Sequence, residues 1–381
     1  MKPHLLEYLR CPECLAELRL KASTIETVER DLASRPVPCS GLCSFPDLVQ
    51  HERDCAACTQ IEVMTGTLAC TACSGQYSIE QGIPKFVVPD SSSEDAVTVR
   101  TARSFGYLWS RVEPLVDVVP RPYHFEKMAS ALSLPALRGL VLDAGCGDGI
   151  DLVNQARSPD AEVIGVELSD GGCQTSFSRV ARLVGAHVVQ ANLCRLPFGD
   201  ATFNAIYSYG VLHHVPTPAR ATAETARVGK DGARVAVYVY EDFSERFTGW
   251  RWLLRGVNSI RGLTTKLPPR LLFRSCCVAS PAVYLLFTIP FLVFSRIPML
   301  RTLAGSLPFR QARGPFSLVG DLYDRFSAPV EYRYSRAGAI ALLRQARLTV
   351  TSVAYERGWM VGAVRKDTAG SLNEMGRMSV D

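Results

Sequence analysis

The chain has 381 residues, 47% hydrophobic and 21% charged, which excludes a wholly disordered polymer and allows more than one packed domain. Its net charge of +5 is misleading: residues 246–320 hold eleven Lys and Arg and no Asp or Glu, leaving 31 basic against 37 acidic residues elsewhere. A uniformly basic protein is thereby excluded, and the composition describes an acidic one that carries a single basic, apolar insert.

The first residues, Met1-Lys2-Pro3-His4-Leu5-Leu6-Glu7, form no continuous apolar stretch, so no secretory signal is expected. A cytoplasmic, reducing compartment is expected instead. Eight of the 13 cysteines lie between Cys11 and Cys73. In a reducing compartment such spacing favours metal over disulfides. Cys11-Pro12-Glu13-Cys14 and Cys70-Thr71-Ala72-Cys73 are two Cys-x-x-Cys turns that can close a tetrahedral zinc site. Cys39, Cys43, Cys55 and Cys58 offer a second possible site, with His51 beside them, although connectivity among eight thiols is not fixed by spacing. Four thiolates leave no open position, so the metal is expected to be structural. With Leu5-Leu6-Glu7-Tyr8-Leu9-Arg10 before the first pair and Gly82-Ile83-Pro84-Lys85-Phe86 after the second, residues 5–20 and 66–88 resemble the small zinc-ribbon partners of tRNA and protein methyltransferases, which makes 1–90 a zinc-ribbon-like domain with a Cys-rich insert.

Residues 91–135 read as a linker and helical lid, beginning with Ser91-Ser92-Ser93-Glu94-Asp95. The aromatic run Phe105-Gly106-Tyr107-Leu108-Trp109 makes Tyr107 and Trp109 candidates for covering a ligand, although packing is the commoner fate of such side chains.

Val141-Leu142-Asp143-Ala144-Gly145-Cys146-Gly147-Asp148-Gly149 is a short apolar strand entering a glycine turn whose backbone can approach a ligand closely. A dinucleotide fingerprint would need its last glycine at Ile150. A second apolar run ends in Glu167, 24 residues after Asp143, where a carboxylate can take two ribose hydroxyls. A third, His187-Val188-Val189-Gln190-Ala191-Asn192, ends in an amide able to meet an adenine. A fourth strand, Ala205-Ile206-Tyr207-Ser208, leads to Val211-Leu212-His213-His214-Val215. Then come a helix with Glu224 and Arg227, a Lys230-Asp231-Gly232 turn, and a strand from Arg234 to Tyr240.

In this order, residues 136–241 resemble the type 11 branch of class I S-adenosylmethionine (SAM) methyltransferases, which includes the quinone-biosynthesis C-methyltransferases. The resemblance implies an α/β, Rossmann-like class I methyltransferase sheet, with a small N-terminal zinc-ribbon domain and a helical insert before the final helix and β-hairpin. It implies SAM as cofactor, beside Zn2+ in the ribbon. Asp143, Gly145, Cys146, Gly147 and Gly149 would shape the cofactor loop, Glu167 would hold the ribose with Leu168 beside it in the cofactor site, Asn192 and Leu193 would border adenine, and Ser208 would also line the cofactor site. Asn192 and Asn204 stand where the family commonly has aspartate. His213 or His214 could serve as general base; the alternative is that the pair caps the next helix and packs on the cofactor. Tyr240, Glu241, Tyr332 and Tyr334 are candidate substrate contacts.

Residues 242–330 form the basic, apolar insert. Within it, 275–295 is uncharged and long enough for ~20 residues of membrane span. One crossing would separate strands of a single sheet, and Pro281 and Pro290 are expected to break the run into short pieces. A buried cap over an apolar pocket, or contact of 246–313 with an anionic membrane surface, are the two readings that survive. Residues 331–365 should complete the sheet with a helix and hairpin, and 366–381 should be disordered.

The expected reaction is methyl transfer to an oxygen or carbon of a small or lipid-like molecule. Tyr207-Ser208-Tyr209-Gly210, in place of an Asn/Asp-Pro-Pro-aromatic motif, argues against exocyclic amines of nucleic acid. An rRNA or tRNA base methyltransferase and a non-catalytic binding protein are the rival readings.

Overall fold

A computed structural model describes residues 1–30, 55–87, 93–116, 124–246, 248–307, 309 and 314–366. Cys39, Cys43, His51 and the tail from 367 lie outside these, so the second cysteine site and the expected disorder of the tail stay expectations.

The N-terminal unit is an antiparallel sheet, β1 (Leu18–Thr27), β2 (Ile61–Cys70), β3 (Gln76–Glu80) and β4 (Ile83–Pro84), with a short helix α1 (Cys55–Gln60) before β2. Register pairs Leu18 with Cys70, which carries the second cysteine turn to the level of the first. Two helices follow, α2 (Ser93–Val116) and α3 (His124–Leu132). The expected linker at 91–95 is therefore already helical from Ser93.

The central sheet has the order β10-β11-β9-β8-β5-β6-β7. Its elements are β5 (Gly139–Ala144), α4 (Ile150–Gln155), β6 (Ala161–Glu167), α5 (Asp170–Val180), β7 (Ala186–Gln190), β8 (Phe203–Tyr209), α6 (Pro218–Val228) and β9 (Gly229–Val239). Strands β5 to β9 pair in parallel. Every residue of β6 and β7 is buried, as expected of strands covered on both faces. The expected turn at Lys230-Asp231-Gly232 lies inside β9 instead. Gly232 takes a φ of +75° there, and the β8–β9 register shifts between Phe203 and Ala205, so the irregularity is absorbed as a bulge.

The insert comprises α7 (Thr248–Thr264), α8 (Pro269–Val283), a π-helical turn (Tyr284–Thr288), α9 (Ile289–Phe294), α10 (Arg301–Ser306) and α11 (Val319–Ser327). Pro281 and Pro290 do not break this run. Residues Pro269–Phe294 form one continuous helix, and the π turn between the prolines accommodates the lost backbone donors. Nor is that helix a buried cap, since 11% of its most apolar window is buried. The sheet closes with α12 (Arg336–Gln345), β10 (Leu348–Tyr355) and β11 (Trp359–Arg365), as the sequence predicts. β11 runs antiparallel to both its neighbours.

One hydrophobic core joins the N-terminal unit to the central sheet: Leu5, Leu9, Val63, Leu68 and Phe86 pack with Leu142, Ile164, Val189 and Phe198. Backbone bridges Leu9↔Phe198 and Lys85↔Gln190 tie the two together. Lys2 Nζ also donates to the Ala186 carbonyl at 2.6 Å, while His187 and Tyr8 both meet Glu162. The opposite sheet face packs on α3, α4 and α5 through Phe125, Leu152 and Cys173. A third cluster, Leu108 with Leu272, Cys276, Leu322 and Tyr323, fastens the insert to α2.

Candidate active site

The carboxyl ends of β5, β6, β7 and β8 lie side by side at one end of the sheet, where a doubly wound fold binds its ligands. Gly145, Gly147 and Gly149 all have positive φ (98°, 54° and 76°), a backbone that other residues adopt at a cost. A Cβ on Gly145 would stand 2.3 Å from Val211, and one on Gly147 would stand 3.1 Å from the Trp109 indole. Trp109 thus covers the glycine loop, whereas Tyr107 turns away to pack on Phe273 and Tyr323 of the insert.

Glu167, the last residue of β6, is 8% exposed. One carboxylate oxygen accepts from the Ser169 amide (2.8 Å) and hydroxyl (2.6 Å), and the other from the Gly147 amide (3.2 Å). Ser169 also N-caps α5 by accepting from Gly172. The residue before that helix therefore aims the acid back at the loop. Burial raises the pKa of Glu167. The same cause, with repulsion from Asp151 second, raises that of Asp143, which accepts from Tyr207 at 3.0 Å. Burial lifts Asp148 too, against the pull of Arg179. So many acids sharing one dry crevice suit a ligand that carries positive charge.

The other cofactor candidates are spread around this point. Cys146 is buried with its sulfur 3.7 Å from the Ser176 hydroxyl. The Leu168 carbonyl accepts from Gln190 at 3.1 Å, and Ser208 donates to the Ala144 carbonyl at 2.8 Å. Asn192 accepts from the Cys194 amide at 2.9 Å, closing the turn next to buried Leu193. Asn204 lies far from the crevice, at the opposite strand end, where it accepts from the Leu140 amide and Lys230.

His213 and His214 form a 3-10 turn after β8. Neither ring nitrogen of His213 has a hydrogen-bond partner among the described residues, and its ring lies 3.9 Å from that of Tyr240. Burial, with the neighbouring His214 second, holds its pKa well below the ordinary histidine value, so the ring is neutral. Its twin is anchored: His214 Nδ1 lies 2.8 Å from the Val330 carbonyl, and Phe105 of α2 packs on its ring. Tyr240 donates to Asp324 of α11 at 2.9 Å, so the insert borders the crevice. Three other substrate candidates serve the scaffold. Glu241 is bound by Arg246 and Tyr355, Tyr334 by its backbone pairing with Tyr240, and Tyr332 by its hydroxyl on the Pro216 carbonyl.

The sequence did not single out Ser169, Ser176, Asp148, Phe105 or Asp324. Only Ser169 carried a local signal, as a serine between a strand's acid and a helix start.

At the far end of the N-terminal sheet, the sulfurs of Cys11, Cys14, Cys70 and Cys73 all lie within 4.8 Å of one another. Cys11–Cys73 and Cys14–Cys70 are 3.6 and 3.5 Å apart, close to the ~3.8 Å that tetrahedral Zn–S bonds impose. Backbone donors, the Ala72 amide foremost, pull the Cys70 thiol down to about 6, while against the Gly75 amide the neighbouring Cys70 and Cys11 push Cys73 up to about 12. The donor set fits zinc.

The family model and the curated relatives agree with this geometry. Residues 142–237 match the family model described as a methyltransferase domain. Cycloartenol-C-24-methyltransferase 1 of Oryza sativa subsp. japonica is 34% identical over 138 residues, 35% of this chain and 39% of that protein. The 27-O-demethylrifamycin SV methyltransferase of Amycolatopsis mediterranei is 31% identical over 115 residues, 29% of this chain and 42% of that protein. The chain thus spans less than half the length of these curated relatives. Among solved structures, the Haloferax volcanii complex of the Trm112 methyltransferase activator with a methyltransferase aligns over 70% of this chain and 98% of that one, at 12% identity and a TM-score of 0.43. With the glycine loop, the acid of β6 and a mostly parallel sheet all in register, residues 142–237 are a SAM-dependent methyltransferase domain of the Rossmann-like, class I type.

Proposed function

We propose that this protein transfers the methyl group of SAM to an oxygen or carbon of a small, lipid-like molecule, with a structural zinc held by Cys11, Cys14, Cys70 and Cys73. The observation that carries the reading is Glu167, buried at the end of β6 and joined to the Gly147 amide across the crevice. In this reading its carboxylate would also accept from the hydroxyls of a ribose. The Gly145 loop would cradle the amino-acid end, and Asn192 with Leu193 would border the base. When bound, the cofactor supplies an electrophilic methyl on a sulfonium.

The residues then have to align an acceptor with that methyl, keep water out and take up a proton. Trp109, against the glycine loop, and Phe105, against His214, would cover the cofactor from α2. His213, whose ring nitrogens have no hydrogen-bond partner among the described residues, would be the base for a hydroxyl or carbon acid, its neutral form being the one that accepts a proton. Apolar and aromatic groups around His213 and Tyr240 favour an apolar acceptor. Carbon and oxygen methylation are also what the names of the rice and Amycolatopsis relatives state of those proteins.

Two measurements test the proposal on the full chain. Calorimetry should show SAM binding, and methyl-labelled SAM incubated with cell extract should place label in the organic-solvent-soluble fraction. The absence of binding heat at millimolar SAM would overturn the enzyme reading. Label recovered in RNA instead would overturn the acceptor class.

A further inference from the structure

The insert exposes more apolar surface than a soluble domain ordinarily leaves in water. Helix Pro269–Phe294 has 26 residues and a mean hydropathy of 2.1 over its most apolar window. One face is used. Leu272, Cys276, Ser280 and Thr288 are buried, Ser280 donating to the Pro315 carbonyl and Thr288 to that of Phe309. The other face is not: Val278, Leu285 and Leu286 are 81%, 64% and 67% exposed, and Met299 just beyond is 93% exposed.

Charge says what covers this ridge. Residues 275–295 carry no charge, yet Arg274 and Arg296 bracket them, and Arg255, Lys266, Arg270 and Arg301 are exposed nearby. No acid occurs anywhere in 246–320. On α7, Trp252 is 65% exposed with the Arg255 guanidinium 4.6 Å over its ring, the kind of amphipathic pair favoured at a headgroup boundary. A second copy of the chain would set cations against cations. An RNA would satisfy the cations and leave the ridge in water.

Topology then fixes the mode. β9 precedes the insert and β11 follows it, and the two are hydrogen-bonded from Trp359↔Val239 to Val364↔Arg234. A single crossing would place them on opposite sides of a bilayer. We propose that the insert docks the protein on the surface of an anionic lipid bilayer, the Pro269–Phe294 helix lying in the interface with Val278, Leu285 and Leu286 inward and the flanking cations at the phosphates.

Flotation of the full chain tests this with vesicles of phosphatidylcholine alone or mixed with phosphatidylglycerol. The protein should float with the mixed vesicles at low salt and progressively less as salt rises. The double variant Val278→Glu/Leu285→Glu alters only exposed positions, so its melting should be unchanged while partition falls at least about tenfold. Arg274→Gln and Arg296→Gln should each weaken partition to the anionic vesicles about fivefold. Wild-type protein that stays at the bottom of the gradient with both vesicle types overturns the proposal. So does equal flotation of wild type and the double variant, and so does equal flotation with neutral and anionic vesicles. Dimerisation or RNA binding that the double variant abolishes, in a protein that does not float, assigns the ridge to that partner instead.

Discussion

Replacing Glu167 with glutamine removes one charge and sets an amide NH2 against one of the two backbone donors, Ser169 or Gly147, that its oxygens accept from. In the folded protein this carboxylate already accepts from Ser169 and Gly147, so the desolvation that raises its pKa is present before any ligand arrives. A ribose would add two hydrogen bonds to a charged acceptor. Losing that charge should cost about 3 kcal/mol of binding, or roughly 100–200-fold in Kd for SAM. Titration calorimetry reads this directly, and it should read a proton as well. Hydroxyl donors and a cationic ligand favour the ionised acid, so its raised pKa falls on binding. Affinity should therefore climb as pH rises through the ligand-free pKa, with protons released to buffer. The heat should then vary with the ionisation enthalpy of the buffer, and the glutamine variant should lose that dependence. A folded Glu167→Gln protein with wild-type Kd and wild-type buffer dependence would refute the ribose assignment.

Gly145→Ala should destabilise the protein by about 1–2 kcal/mol through its positive φ alone, with the added contact on Val211. In urea unfolding, Val211→Ala in the same chain should restore only the contact component. His213→Gln should slow methyl transfer about 10²-fold or more with little change in SAM affinity. Because burial holds the wild-type ring neutral, single-turnover rates should stay level through pH 6.5 and fall only well below it. Chelation should release zinc and speed proteolysis of the N-terminal sheet, since metal binding there is folding free energy. Elemental analysis finding two zinc ions per chain would fill the second site as well, and Cys39→Ser would then remove one of them.

The cofactor side of the fold was legible because it is local. Three glycines in a turn and an acid closing an apolar run are each written in a few consecutive residues, as is the serine at the start of α5, which went unread. The cysteine turns were legible for the same reason, and β1–β2 register then brings them together. Long-range packing left no such trace. The exposed ridge and the buried Leu272 face alternate on one helix, and composition alone could not say which face is covered. Glu241 looked like a residue at the site mouth, but its partner Tyr355 lies 114 positions away, beyond the whole insert. The π turn between Pro281 and Pro290 is a tertiary accommodation, invisible to a rule that treats proline as a breaker.

The shared core of the cysteine module and the sheet also sets a schedule for synthesis. Leu9 waits for Phe198, 189 positions later, which at ordinary elongation rates is on the order of 10–40 s. During that interval the nascent module presents Leu5, Leu9 and Phe86 with no sheet to cover them, and the zinc proposed at Cys11, Cys14, Cys70 and Cys73 would help to keep it ordered. Cells short of zinc should therefore lose this protein on the ribosome, to aggregation or proteases, rather than accumulate a folded but metal-free form.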